Sequence, residues 1–180
     1  MTLQNRAELA EVLREPSRLG HVFARHAYGM RRWVDLFAAR IPDADPEGKE
    51  LVASLVADNA RHMLLFRARA RARGVDPDAY VAPREGEAIY ERLAELPSLD
   101  DCLGYALGSL DHFDELLGTY RAAASGEDAA AIDAVRADVG RARARLRGLV
   151  GAGEEALAGE AHELYRVREL AETPRYASVV

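Results

Sequence analysis

The stretch Ser17–Gly74, SRLGHVFARHAYGMRRWVDLFAARIPDADPEGKELVASLVADNARHMLLFRARARARG, decides the fold. Its first apolar set, Val22, Phe23, Ala27, Met30, Trp33, Val34, Phe37 and Ile41, recurs at helical spacing and predicts a helix over 18–41. Ser17 offers an N-cap behind the stop at Pro16, and Pro42 ends the run. Asp45-Pro46 then starts a second helix, with the aspartate as cap and the proline in the first turn, where its missing N–H has no partner to lose. That helix carries Leu51, Val52, Leu55, Val56, Asn59, His62, Met63 and Phe66 on one face and stops at Gly74. Each rod is roughly 35–42 Å long at about 1.5 Å per residue. The short connection between them predicts an antiparallel pair.

Outward from this hairpin the pattern repeats. Residues 6–15 read as a short helix before Pro16. A proline-bearing connection of more than twenty residues, holding a short helix over 85–95, follows Gly74 and ends at Pro97. Ser98 with Asp101 opens a third long helix over 99–124, striped by Leu103, Ala106, Leu107, Leu110, Phe113, Leu117 and Tyr120. Gly104 and Gly108 lie four apart on it, and a close helix contact is the reason expected for them. After Ser125-Gly126 a fourth helix runs over 127–150, with Ile132, Val135, Val139, Ala142, Leu146 and Leu149 inward. Gly151–Gly153 breaks the chain before a last helix over 154–171 and a loose tail. The expected organisation is a short N-terminal helix (1–17), a four-helix bundle (18–150), a C-terminal helix packed on it (151–172) and the tail (173–180).

Composition agrees with an all-α chain. Alanine, leucine, arginine and glutamate dominate, all strong helix formers, and 180 residues suffice for one domain with its own core. A net charge of −6 argues against a general nucleic-acid binder. The lone Cys102 excludes an intrachain disulfide and points to a cytoplasmic protein. No segment reaches the roughly 20 apolar residues of a membrane span, so no membrane partner is expected.

Three pieces carry a family resemblance: Ala27-Tyr-Gly-Met-Arg-Arg-Trp33, Ala57-Asp-Asn-Ala-Arg-His62 followed by Phe66, and Gly74-Val-Asp-Pro-Asp-Ala-Tyr80. Together they resemble the ferritin-like/rubrerythrin-like superfamily over about 18–150. The resemblance implies a four-helix bundle with one long crossover and a carboxylate-bridged di-iron site, built from one glutamate on each of two helices and Glu-x-x-His on the other two. Carried over position by position, that site is degenerate. Met30 stands for one glutamate, Asn59-x-x-His62 for one Glu-x-x-His, Asp111 for the second glutamate and Asp138-x-x-Arg141 for the last motif. A thioether suits iron poorly, and a guanidinium repels cations.

A reduced site of His62, His26, Asp111 and Asp138 is the candidate metal centre, with iron, manganese or zinc as the cation. The plainer alternative is a core histidine, with His62 bonded to Asp138 or Asp111. Met30, Asn59, Trp33 and Arg141 are candidate pocket-lining residues, and an inward Arg141 would pair with Asp138 or Asp58. The run Leu110-Asp-His-Phe-Asp-Glu115 reads as an exposed face rather than a ligand cluster, and His162 as a surface or interface residue. The alternating arginines at 67–73 and 141–147 read as solvated faces with nearby acids. Three roles follow: a non-catalytic binding or assembly module, which is preferred, a non-haem metal-dependent oxidase or hydroxylase with an altered site, or a small-molecule pocket protein using His26, His62, Met30 and Trp33. Leu157, Leu164, Tyr165 and Leu170 on the last helix offer a stripe for a homodimer or for the bundle's own side.

Overall fold

The computed structural model describes residues 6–178, with side chains to Tyr176. The parts of the N-terminal segment and tail at 1–5 and 179–180 lie outside the described residues. Those described form seven α-helices and a 3-10 turn, with no strand: α1 (Arg6–Val12), α2 (Pro16–Ala38), α3 (Pro46–Ala72), the turn Pro77–Ala79, α4 (Arg84–Glu95), α5 (Leu99–Ala123), α6 (Gly126–Arg147) and α7 (Ala152–Ser178). Among them no helix is long and apolar enough to cross a membrane.

Two caps follow the sequence reading and one does not. Asp45 Oδ1 accepts from Gly48 N at 2.7 Å, and Ser98 Oγ accepts from Asp101 N at 3.1 Å. At α2, however, Pro16 is the first helical residue and Glu15 caps it, accepting from Ser17 N and Arg18 N at 3.1 Å each. A proline at that position loses no hydrogen bond, so the expected stop is a start. The fourth long helix ends at Arg147, which leaves Leu149 61% exposed instead of in the core. The expected loose tail is helical through Ser178 despite Pro174, because Tyr176 is buried in the core beyond it.

Residue pairings give the helix directions. Phe23 stacks on Phe66 and Gly20 approaches Arg73, so α2 and α3 are antiparallel. Glu50, His62 and Arg69 of α3 meet Arg145, Asp138 and Asp128 of α6 in turn, which makes α3 and α6 antiparallel. Arg143 with Asp111 and Arg121 with Asp133 do the same for α5 and α6. Therefore α3 and α5 point the same way, and the connection carrying α4 returns along the molecule. The two arginine runs supply these links. Arg69 and Arg73 grip the fully buried Asp128, each at 2.6 Å.

α7 lies parallel to α5. Gly104 faces Glu154, Gly108 faces Ala158, and His112 faces His162, an advance of one turn each time. A Cβ on Gly108 would fall 1.9 Å from the Ala158 carbonyl oxygen, so the glycine spacing marks a backbone-to-backbone seat. Leu157, Leu164 and Tyr165 pack on this core, while Leu170 is 59% exposed. Their stripe is spent mainly within the chain.

Candidate functional site

The centre between α2, α3, α5 and α6 is where the resemblance places a metal. The structure puts Met30, Asn59, His62 and Asp138 there, around a cavity of about 30 Å³. His62 is buried, and its Nε2 meets Asp138 Oδ2 at 2.9 Å. Arg61 donates to the same oxygen at 2.6 Å, and Arg141 occupies Oδ1. Burial works to raise the Asp138 carboxyl, but the hydrogen bonds from Arg61 and His62 outweigh it and hold the carboxyl below its ordinary value. With that carboxylate ionised, His62 Nε2 donates its proton and offers no lone pair. Burial also holds His62 below the ordinary histidine range. Asn59 Nδ2 donates to Leu55 O at 2.8 Å.

The other proposed ligands go elsewhere. Asp111 accepts from Arg143 and Arg147, each at 2.7 Å, at the molecule's edge. His26 belongs to a cluster with Arg25 and Tyr120. Arg141 is not turned inward: its side chain is 70% exposed while it pairs with Asp138. Thus the four residues His62, His26, Asp111 and Asp138 do not converge, and only His62 and Asp138 touch. Asp111 stands mid-way along α5, half-buried, and Arg143 and Arg147 reach its carboxylate from α6.

A second cavity, of about 50 Å³, abuts the first across Met30, Leu55, Asn59, Leu110 and Phe113 and is walled by α2, α3, α4, α5 and α7. Met30, Trp33, Leu55 and Phe113 make much of it apolar, and Arg25, His26, Asn59, Tyr90, Ser109, Tyr165 and Arg168 bring polar atoms to it. Arg25 and Arg168 are each 2% exposed. Arg25 Nη1 donates to Tyr120 OH at 3.1 Å and lies 2.9 Å from His26 Nε2. The guanidinium can only donate, so His26 Nε2 accepts and the ring is neutral. Burial and the adjacent Arg25 charge hold His26 well below its ordinary value. Arg168 Nη1 donates to Tyr90 OH at 3.0 Å, and its charge lies over the Tyr90 and Tyr165 rings. Trp33 Nε1 donates to Tyr165 OH at 2.9 Å, fixing the far wall.

One carboxylate answers these two cations. Glu172 on α7 is 2% exposed. It pairs with Arg25 Nε and lies 3.4 Å from Arg168 Nε, neither arginine Nε making a hydrogen bond of good geometry. Tyr80 OH donates to it at 2.5 Å. Burial opposes its ionisation, but Arg25 and Arg168 outweigh burial and hold Glu172 below its ordinary value. Both arginines stay protonated: burial opposes this, but Glu172 for Arg25, and Tyr90 with Glu172 for Arg168, raise them above the ordinary value. Glu172 faces a separate, more open hollow beside Tyr80 and Tyr176, so the 50 Å³ cavity has cationic groups on its wall and no carboxylate. Two buried positive charges against one negative leave an excess of about one charge. An unbalanced buried charge costs several kcal/mol unless something pairs with it.

Trp33, Met30 and Asn59 were legible as pocket residues from the sequence. Arg25, Arg168 and Glu172 were not, although Arg168 and Glu172 stand four apart, the spacing of an ion pair on one helix face. Cys102 is buried, and burial pushes its thiol up, the opposite of an activated nucleophile.

Among the described residues one group of His and Glu side chains could hold a metal ion: His112, Glu115 and His162, whose ligand atoms lie within 4.8 Å of one another. It sits between α5 and α7. His112 is fully buried, and burial with the Arg25 and Arg6 charges pushes its imidazole down to about 3, so the ring is neutral. Comparison with protein-family models, curated proteins and solved structures found no match to this chain.

Proposed function

We propose that this chain is a divergent ferritin-like bundle serving as a non-catalytic binding module, whose ligand is a small organic monoanion of acetate or propionate size. The carrying observation is the pair of buried guanidiniums, Arg25 and Arg168, at a largely apolar cavity with a single buried carboxylate to balance them. An anion in that space restores neutrality to the interior. At about 10–15 Å³ per water-sized position, the 50 Å³ of the cavity holds about three to five heavy atoms. Met30, Trp33 and Phe113 favour a ligand with a short apolar tail over a bare oxyanion, and the guanidiniums of Arg25 and Arg168 supply donors to its head. The ferritin-like part of the reading is supported by the two antiparallel hairpins and the long connection between them, with α3 and α5 pointing the same way. The binding-module part is supported by the closed His62–Asp138–Arg61 network, which uses internally the groups a bundle-centred oxidase needs as ligands.

The test is a titration of the purified chain with sodium acetate and sodium propionate, reading Tm and the emission of Trp33, the chain's one tryptophan. Acetamide and propionamide are uncharged shape controls, and sodium chloride holds ionic strength. The carboxylates raise Tm saturably, by an amount that grows with the logarithm of concentration above Kd. Arg168→Met, which leaves the Arg25–Glu172 pair intact, removes the response. Equal responses to the amides or chloride, or a full response in Arg168→Met, would defeat the proposal.

A further inference from the structure

The α5–α7 seam carries a feature that the anion cavity does not use. His112 and Glu115 stand one turn apart on α5, and His162 and Glu169 two turns apart on α7, so each pair shares a helix face. The glycine seat at Gly104 and Gly108 brings the two helices together one turn before the histidines, leaving the rings with centroids 5.3 Å apart and edge to face.

His162 Nε2 lies 3.5 Å from Glu115 Oε1, and His112 Nε2 lies 3.3 Å from Glu169 Oε2. Ligands about 2.0–2.2 Å from a tetrahedral cation stand about 3.4 Å from one another. The His162–Glu115 separation matches that edge, and Glu169 stands beside His112 outside the converging group of three.

A second observation comes from His112 itself. It is fully buried, yet neither ring nitrogen has a hydrogen-bond partner. Buried polar groups are almost always paired, and an exception calls for an ion, water or function. The orphaned nitrogens belong to the one histidine in the seam that solvent cannot reach.

Arg6 on α1 completes the shell. Its Nη1 holds Glu115 Oε2 at 2.7 Å, and its Nε and Nη2 reach the Glu169 carboxylate at 3.3 Å each. The guanidinium grips Glu115 by Oε2 and leaves Oε1 toward His162, as a neighbour that orients a metal-bound carboxylate does.

We propose that His112, His162 and Glu115 form a binding site for one divalent transition cation, zinc by preference, with the fourth position left to water. Two imidazoles and one carboxylate with an open fourth position suit Zn²⁺, with Co²⁺ as its spectroscopic substitute, and differ from the octahedral all-oxygen set that Mg²⁺ and Ca²⁺ require. The site lies at the α1–α5–α7 junction, away from the bundle centre where His62 sits, and rests on none of the groups assigned to the anion cavity.

The experiment uses the full chain, purified in chelator and dialysed free of it. Calorimetric titration with ZnCl₂ gives one equivalent per chain, and CoCl₂ gives the intense visible bands of a four-coordinate ion. His162→Ala and Glu115→Gln change partly exposed side chains and keep the helical circular dichroism. Each weakens Zn²⁺ binding at least tenfold and removes the Co²⁺ bands, whereas His62→Gln leaves both intact. Stoichiometry and affinity unchanged in His162→Ala, pale six-coordinate Co²⁺ spectra, or loss of binding in His62→Gln would each overturn the assignment.

Discussion

Gly108→Ala tests the seat on which both the cavity and the cation site depend. In an open helix position the exchange stabilises, because alanine is favoured over glycine by roughly 0.8–1 kcal/mol. At Gly108 the added Cβ would lie 1.9 Å from the Ala158 carbonyl oxygen, 2.6 Å from its carbon and 2.7 Å from its Cα. Contacts under 3.0 Å are essentially never seen for a real Cβ, so α7 must move from α5 by at least 1.1 Å, the gap between 3.0 Å and 1.9 Å. The obstacle is backbone and cannot rotate away. Overpacking of this kind costs about 1–3 kcal/mol, and the displaced helix carries Tyr165, Arg168 and Glu172 with it. Set against the alanine gain, the net expectation is a loss of about 1 kcal/mol, or roughly 2–4 °C in Tm for a chain of this size. Gly140→Ala is the internal control. Nothing lies within 4 Å of its added Cβ, and it gains up to about 1 kcal/mol. Urea denaturation of the wild type and both variants reads the two signs side by side. A Gly108→Ala chain as stable as Gly140→Ala would refute the parallel α5–α7 seat.

Glu172→Gln leaves Arg25 and Arg168 buried without a counter-charge and lowers stability by about 3–5 kcal/mol; acetate recovers part of the loss. A change under about 1 kcal/mol in urea denaturation would contradict the charge excess. For pH, burial holds His26, His62 and His112 below the ordinary histidine value. The unfolded chain therefore takes up protons first, so stability is full above about pH 6.5 and is lost as pH falls below it, by up to about 1.4 kcal/mol per unit for each histidine. Asp138, held low, adds a further loss where pH falls through the acid range below about 4. His62→Gln flattens the upper limb by one proton's worth, and an unaltered slope across pH 5–6.5 would rule out a neutral buried His62.

The long rods were readable because each carries an apolar stripe between strong punctuation: Asp45-Pro46 at one start, Ser98 with Asp101 at another, Gly74 at a stop. Two boundaries failed for different reasons: Pro16 begins a helix through the local cap from Glu15, which the stop reading passed over, and Pro174 is carried inside α7 by tertiary contact, since Tyr176 is buried two residues later. The Gly104–Gly108 spacing pointed correctly to a close contact, but its partner, Glu154 and Ala158 of the same chain, had no local mark. His62 with Asp138 was readable as a core pair for the same reason as the stripes: both stand at inward positions of adjacent rods.

Arg25 and His112 were hidden by a specific assumption, that four helices share the core. On a four-helix plan the side of α2 bearing Arg25 faces solvent, and an arginine there says nothing. α7 covers that side, so α2 is buried almost continuously from Leu19 to Met30, and an outer position becomes an inner wall. The same cover encloses His112 on α5 and supplies Arg168, Glu172 and His162 opposite. The chain's unpaired chemistry therefore collects along the fifth rod instead of at the four-helix centre, where His62, Asp138 and Arg61 already satisfy one another. It follows that substitutions at Arg168 and His162 should alter ligand responses while leaving the His62 network in place, and that His62→Gln should alter acid stability while leaving those responses in place. That separation of effects follows from the contacts, since Arg168 pairs with Glu172 and Tyr90 and His162 with Glu115, whereas His62 pairs with Asp138, although the two cavities share the walls Met30, Leu55, Asn59, Leu110 and Phe113.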